Sequence, residues 1–169
     1  MSCSLRKIVM VYIRAKKINK GEYAYLVESI KTPKGSRQKV KEYLGKIHSI
    51  TKEPISVTSN SMVSKKDFLR EMTISLLTSA GFTKSEKVYV FEKLLFDPEQ
   101  MTLVKCTKTS HKNAVISINE GYLCSFTLQR LLLFKPTKNL MDDAKNLAKF
   151  FLEAGFLISQ EDFVQFYQL

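Results

Sequence analysis

The chain has 169 residues, 44% of them hydrophobic, and its 27 Lys and Arg residues against 16 Asp and Glu residues give a net charge of +11. A chain of this length removes roughly 70% of its unfolded surface from water on folding, so its core needs no disulfide or metal. Cys3, Cys106 and Cys124 are far apart and odd in number, which argues against a disulfide framework or a zinc site and predicts a cytoplasmic protein. We expect neither a membrane span nor a secretory signal, because the apolar runs are too short.

The positive charge is concentrated in the first part of the chain. Residues 1–61 contain thirteen Lys and Arg residues and four Glu residues, a net charge of +9, and the remaining residues carry only +2. This asymmetry indicates a local site for a polyanion. The alternative is a lysine-rich surface that only keeps the protein in solution.

Residues 11–47 contain three β-rich runs separated by turn sequences. The runs span residues 11–18, 23–31 and 37–47. Gly21 and Gly35 lie in the intervening turns, where glycine supplies the positive φ that short hairpin loops require. The pattern predicts a three-stranded antiparallel β meander within a basic unit of residues 1–50.

The alternation of side chains along a strand divides the meander into two predicted faces. The first is mostly apolar and suited to packing: Ile13, Ala15, Ala24, Leu26, Ile30, Val40 and Leu44. The second collects cations and phenol rings: Tyr12, Arg14, Lys16, Tyr23, Tyr25, Arg37, Lys39, Lys41 and Tyr43. Cations bind phosphates and tyrosines stack on bases, so the second face predicts nucleic-acid binding, provided that no β-bulge changes the parity.

The rest of the chain is predicted to be an α+β unit of residues 64–169, which follows a Ser/Thr-rich linker at residues 51–63. A helix is predicted between Ser64, as its N-cap, and Gly81. Residues 87–96 and 101–106 are predicted to form a β-hairpin, and residues 114–118 a third strand. Three helices are predicted at residues 121–134, 139–154 and 160–167. Their predicted N-caps and C-terminal stop are Asn139, Ser159 and Gly155. The fold class of the whole chain is therefore predicted to be α+β.

Few residues of this sequence suit catalysis. His48 and His111 are the only histidines, and neither has an acidic residue at a useful spacing. Cys124 lies in an apolar run, where a thiol packs as a small hydrophobe. Acidic residues in the first turns of helices interact favourably with the helix dipole and need no catalytic role: Asp142, Asp143, Glu161 and Asp162. The sequence lacks the GxxxxGK[ST] and GxGxxG phosphate-binding motifs, so we expect no enzymatic activity, no cofactor and no metal.

Three N-terminal motifs resemble the N-terminal segment of insertion-sequence DDE transposases. The motifs are YIRAKK at residues 12–17, YAYLVES at residues 23–29 and RQKVKEYLGKI at residues 37–47. In that family the segment precedes the catalytic domain and is associated with DNA, so the resemblance implies DNA binding. The RNase H-like catalytic domain has no counterpart after residue 61, and we therefore carry over no catalytic residue.

The whole chain also resembles small stand-alone archaeal proteins of unknown function. The motifs that carry this second resemblance are NEGYLCSFTLQRLL at residues 119–132 and LAKFFLEAGF at residues 147–156. It implies an archaeal lineage and no particular activity.

The leading hypothesis from the sequence is a non-enzymatic nucleic-acid-binding protein, with DNA favoured over RNA. Residues 64–169 would then be a scaffold, a dimerisation module or a module that binds a protein partner. The alternative is a structural or accessory subunit that docks on a ribonucleoprotein or a replication or transcription assembly mainly through protein contacts. A metal-dependent nuclease is a third hypothesis, but no cluster of carboxylates in the sequence supports it.

Overall fold

The computed structural model describes residues 9–32, 35–50, 64–137 and 139–169, and the predicted linker at residues 51–63 lies outside them. The described residues form an α+β fold. Its strands are β1 (Val9–Ile18), β2 (Gly21–Thr32), β3 (Gly35–Ser49), β4 (Thr83–Ser85), β5 (Val88–Phe91), β6 (Leu94–Asp97), β7 (Thr102–Cys106), β8 (His111–Ile118) and β9 (Gly121–Leu123). Its helices are α1 (Lys65–Ser79), α2 (Ser125–Leu132), α3 (Leu140–Ala154) and α4 (Gln160–Gln168).

The strands form one continuous sheet in the order β1-β2-β3-β8-β7-β6-β5-β4, with β9 paired to β8. The predicted meander is present, because β1 pairs with β2 and β2 with β3 in antiparallel fashion. The inner end of β3 then pairs in parallel with β8, from Lys46 beside Ala114 to Ser49 beside Ser117. The N-terminal meander therefore continues directly into the sheet of the second part of the chain.

Two irregularities interrupt the pairing of β2 with β3. Ala24 lies opposite Gly45 whereas Tyr25 lies opposite Tyr43, so Leu44 is an extra residue in β3. The same shift recurs between Leu26, opposite Glu42, and Val27, opposite Val40, and it makes Lys41 a second extra residue. Each β-bulge reverses which face of the sheet the following residues of β3 occupy.

Two apolar clusters hold the sheet and the helices together. The main core buries side chains from α1, α2, α3 and α4 against strands β6 to β8, with Phe68, Phe96 and Phe151 among the fully buried rings. The second core lies under one face of the meander and contains Ala24, Leu26, Leu44, Ile47, Val115 and Cys124. Burial of this second cluster fixes the orientation of the meander, because its opposite face must then point to solvent.

The predicted helix ends are confirmed by hydrogen bonds. The side chains of Ser64, Asn139 and Ser159 each accept a hydrogen bond from a backbone N–H in the first turn of α1, α3 and α4. Gly155 ends α3 with a φ of 82°, the left-handed conformation that glycine adopts without strain. The capping residues thus identify these boundaries from the sequence alone.

The prediction of one strand at residues 87–96 is wrong. The chain turns in the middle of this segment, where Glu92 has a φ of 51°, and β5 and β6 pair with each other on either side. The predicted β-hairpin is therefore a meander that includes β7. Neither glycine nor asparagine marks the turn, so the sequence carries no conventional turn signal there.

The predicted start of the helix at residues 121–134 is also wrong. Gly121–Leu123 pairs with β8 as β9, and α2 begins only at Ser125. Asn119 and Glu120 connect the two strands with φ values of 49° and 64°. Two successive residues with positive φ are typical of a type I′ hairpin turn, which replaces the predicted turn from strand to helix.

Candidate nucleic-acid interface

One face of the meander gathers most of the predicted tyrosines and cations. The uninterrupted pairing of β1 with β2 places Arg14 beside Tyr25 and Lys16 beside Tyr23, and β3 adds Tyr43 opposite Tyr25. This face points away from the second core. We call it the tyrosine face, and its residues are Tyr12, Arg14, Lys16, Tyr23, Tyr25, Val27, Lys31, Gln38, Val40, Tyr43 and Lys46.

The prediction that Arg37, Lys39 and Lys41 share this face is wrong. Arg37 lies opposite Ile30 and Lys39 lies opposite Glu28. Both therefore lie on the same face of the sheet as Ala24 and Leu26 of the second core. The ammonium group of Lys41 lies 3.2 Å from the carboxylate of Glu28. The physical reason is the bulge at Lys41. It reverses the alternation of side chains between the two faces, so the residues of β3 before Lys41 point to the opposite face from the one that strict alternation predicts.

The same bulges bring three unpredicted residues to the tyrosine face. Gln38 accepts a hydrogen bond from the guanidinium of Arg14 at 2.7 Å. Val40, which was predicted to pack in a core, is 60% exposed. Lys46 follows the bulge at Leu44 and lies opposite Tyr23. Gly45 is the signal that could have indicated this irregularity, because a glycine inside a strand often marks a bulge.

The rings of three tyrosines form the wall of an open cleft. The ring centroids of Tyr25 and Tyr43 are 5.4 Å apart and those of Tyr23 and Tyr43 are 6.3 Å apart, with interplanar angles of 53° and 42°. Tyr43 is 50% exposed. We call this space of about 640 Å³ the aromatic cleft, and its lining residues are Ile18, Asn19, Lys20, Gly21, Tyr23, Tyr25, Tyr43 and Lys46.

A second cleft of about 280 Å³ continues along the tyrosine face toward the turn between β2 and β3, which we call the outer end of the meander. Arg14 and Lys16 supply its charged side, while Val27 and Val40 form its apolar side. Tyr25 lines both clefts and separates them. Together the two clefts give the face alternating aromatic, apolar and cationic surfaces.

The acidic residues of the meander lie on only one of its two faces. The register places every described acidic residue of β1–β3 on the face opposite the tyrosines: Glu22, Glu28 and Glu42. Among the described residues, neither Lys16 nor Lys46 has a carboxylate within ion-pair distance. The cations of the tyrosine face are therefore available to an external anion.

Tyr43 remains uncharged at the centre of the aromatic cleft. Burial raises the pKa of its phenol above the ordinary value, and the neighbouring phenols of Tyr25 and Tyr23 raise it further. A neutral phenol adds no repulsion against phosphate and keeps its O–H as a hydrogen-bond donor.

His48 makes the stability of the inner end of β3 sensitive to pH. Its Nε2 atom is buried and has no hydrogen-bond partner in the described parts of the chain. Burial lowers the pKa of its imidazole, Lys105 and Lys46 lower it further, and Glu92 opposes them. Because the folded state disfavours the charged ring, the free energy of unfolding should fall as the pH drops below the ordinary value of about 6.5.

We expect the variant His48→Gln to lose part of this pH dependence. Urea denaturation between about pH 7 and pH 5 should show a shallower fall in stability than in the native protein, because glutamine binds no proton in this range. His111→Gln is the matched control, since His111 is exposed at the start of β8. An unchanged slope in His48→Gln would contradict the assignment.

The other residues considered for chemistry lie in the second core or in the first turns of helices. Cys124 is buried in the second core, and burial raises the pKa of its thiol, which disfavours the reactive thiolate. Asp142 and Asp143 lie in the first turn of α3, and Glu161 and Asp162 in that of α4.

Within residues 9–32, 35–50, 64–137 and 139–169, no three His, Cys, Asp or Glu side chains are grouped closely enough to hold a metal ion. None of the helices described there is both long and apolar enough to cross a membrane.

Comparison of this chain with protein-family models, with curated proteins and with solved structures finds no match. The resemblance of its N-terminal motifs to insertion-sequence DDE transposases stays a prediction. The geometry of the site is that of an open face with tyrosines and cations, on a meander whose described acidic residues lie on the other side.

Proposed function

We propose that this protein is a non-enzymatic nucleic-acid-binding protein and that the tyrosine face is its contact surface. The observation that supports the proposal is that Arg14, Lys16 and Lys46 share a face with Tyr25 and Tyr43, whereas the described acidic residues of β1–β3 all lie on the opposite face. A cytoplasmic setting and a preference for DNA over RNA belong to the same proposal. The DNA preference rests on the N-terminal motifs.

The number of cations on this face sets the expected strength of the electrostatic contribution. Arg14, Lys16, Lys31 and Lys46 lie on the strands, and Lys20 lies at the rim of the aromatic cleft. Four phosphate contacts would give a log–log dependence of affinity on salt of about −4 for duplex DNA and about −3 for single strands. The tyrosines add contacts that depend much less on salt.

The test is a salt-titrated fluorescence-anisotropy measurement with duplex DNA, single-stranded DNA and structured RNA. The test variant neutralises three cations of the tyrosine face: Arg14→Gln, Lys16→Gln and Lys46→Gln. The matched control neutralises one arginine and two lysines on the opposite face: Lys17→Gln, Arg37→Gln and Lys39→Gln. Both variants have the same net charge, so they differ only in where the charge is removed.

The test variant is expected to bind about 100-fold more weakly at 0.1 M salt, with a salt slope reduced by about 2 to 3. The control should lose less than about fivefold, because only the long-range field of the protein changes. Equal losses in the two variants would contradict the assignment to the tyrosine face. A native protein that binds none of the three ligands at low salt would contradict the proposed function itself.

A second candidate function is docking on a larger assembly mainly through protein contacts of residues 64–169. Four large apolar side chains of the second part of the chain favour it, because each is more than 60% exposed: Leu133, Leu140, Met141 and Leu152. Apolar surface of this kind marks protein contact sites when it is contiguous. The same binding experiment separates the two candidates, since only this one is compatible with a native protein that binds no nucleic acid.

A further inference from the structure

We infer that the ligand is a single strand of nucleic acid that crosses the sheet, with one unpaired base in the aromatic cleft and its phosphates along a row of lysines that continues onto β8 and β7. This inference rests on the proposed function and names the ligand of the same face. It also assigns Lys105 and Lys112, which lie outside the N-terminal basic unit, to the interface.

The row of cations follows from the pairing of neighbouring strands. Lys46 on β3 lies beside Ala114 on β8, and Lys112 lies two residues before Ala114 on the same face of that strand. Lys112 in turn lies directly opposite Lys105 on β7. Lys112 is exposed and Lys105 is partly exposed. The face that carries the tyrosines on β1–β3 therefore also carries Lys112 and Lys105, which lie at the edge of the main core that buries Ala114 and Leu103 on the same face.

The electrostatic environment of His48 supports this placement independently of the register. Lys46 and Lys105 both act on the imidazole of His48, so these two ammonium groups lie near the same side chain although they belong to different strands. The carboxylate of Glu92 acts on the same imidazole with the opposite sign and so balances part of this positive charge. A phosphate group next to Lys46 would balance it further.

The direction of the row favours a strand of nucleic acid that runs across the sheet. The neighbouring strands β1, β2, β3, β8 and β7 are each about 4.8 Å apart, so the row from Lys16 to Lys105 is about 19 Å long. This length corresponds to a short run of nucleotides, at the lower end of the site sizes of single-strand-binding folds. A β-ribbon inserted lengthwise into a duplex groove would instead use the outer end of the meander, where Arg37 and Lys39 lie on the opposite face.

The aromatic cleft accounts for an unpaired base. Its rings are tilted relative to one another, so Tyr23, Tyr25 and Tyr43 do not cover each other's faces by parallel stacking. In a duplex the faces of the bases are covered by their neighbours, whereas a single strand exposes them for stacking on aromatic side chains. Lys20 and Lys46 at the cleft would neutralise the phosphates on either side of that base.

The experiment compares a labelled single strand of DNA, the same sequence as RNA, and the corresponding DNA duplex. The native protein should bind at least one single strand about tenfold or more tightly than the duplex. The two single-strand arms show whether the strand is DNA or RNA, because both present the same unpaired bases and phosphates. Binding should also quench tyrosine emission, which is observable because the chain has seven tyrosines and no tryptophan.

Two variants test the cleft and the row separately. Tyr43→Leu should weaken single-strand binding by about 5- to 150-fold, the range of one base–aromatic stack, and should change duplex binding less than about twofold. Tyr89→Leu is its control, because Tyr89 lies on β5, away from the tyrosine face and outside the aromatic cleft. The double variant Lys105→Gln with Lys112→Gln should weaken single-strand binding by about 25-fold at 0.1 M salt and reduce the salt slope by about 1.4.

The outcomes distinguish this inference from the proposed function. Equal affinity for duplex and single strands, together with equal effects of Tyr43→Leu and Tyr89→Leu, would overturn the inference while nucleic-acid binding stands. Loss of single-strand affinity in Tyr43→Leu without loss in the lysine double variant would overturn the extension onto β8 and β7. A native protein that binds no nucleic acid would overturn both.

Discussion

Phe151→Ala is expected to lower the free energy of unfolding by about 3–5 kcal/mol, the largest effect of any single truncation that we predict. Phe151 is fully buried in the last turn of α3. Its ring contacts the ring of Phe166 edge to face at a centroid separation of 5.0 Å, and it contacts those of Phe156 and Phe163 at 6.1 and 6.3 Å. Truncation would leave a cavity among three elements that cannot all collapse into it.

Urea denaturation followed by circular dichroism would measure this loss. Leu152→Ala is the matched control, because Leu152 is the next residue on α3 but is 61% exposed. The control should change stability by less than about 0.5 kcal/mol, as is usual for surface positions. A loss below about 1.5 kcal/mol in Phe151→Ala would show that the aromatic cluster is not the centre of the main core.

Gly45→Ala is expected to destabilise the protein by about 2–4 kcal/mol and to weaken binding at the tyrosine face. Gly45 has a φ of 137°, which L-amino acids rarely adopt. A Cβ atom there would overlap the backbone carbonyl oxygen of Asn113 on β8 and lie 2.8 Å from its carbon. The backbone would have to move where β3 joins β8, and Tyr43 and Lys46 lie on either side of that position.

Gly35→Ala is the matched control for this substitution. Gly35 also has a positive φ, 112°, but no atom lies within 4 Å of a Cβ built there. Both variants therefore include the conformational strain, and only Gly45→Ala adds the overlap with β8. Differential scanning calorimetry and anisotropy should show a clear difference between them in both stability and affinity. Equal destabilisation would mean that the approach of β3 to β8 does not require glycine.

Periodicity and capping residues predict much of this fold. Ser64, Asn139 and Ser159 mark their helix starts because each has a side-chain oxygen that accepts from the first turn. The three strands of the meander are also predicted, since Gly21 and Gly35 separate runs of high β propensity. Gly35 has the predicted positive φ, 112°, whereas in the first turn the positive φ belongs to Asn19 and not to Gly21. These features are local, so a single sequence contains the information that determines them.

The predictions that are wrong concern features that depend on pairing between distant segments or on unusual backbone conformations. The bulges at Lys41 and Leu44 depend on how β3 pairs with β2, and a strict alternation rule assigns the wrong face to Arg37 and Lys39. The parallel pairing of β3 with β8 has no signal in either segment alone. Lys105 and Lys112 consequently could not be placed beside the tyrosines from the sequence, because only this pairing brings them to the same face.

The parallel pairing of β3 with β8 joins segments that are far apart in the sequence. Strands β1, β2 and β3 pair with sequence neighbours, whereas Lys46 and its partner Ala114 are 68 residues apart. Closing a long loop is entropically costly, so contacts between distant residues are expected to form late. We therefore expect the meander to form during synthesis before Val115 can cover Leu44 and Ile47, which would leave an apolar edge on the nascent chain until β8 emerges.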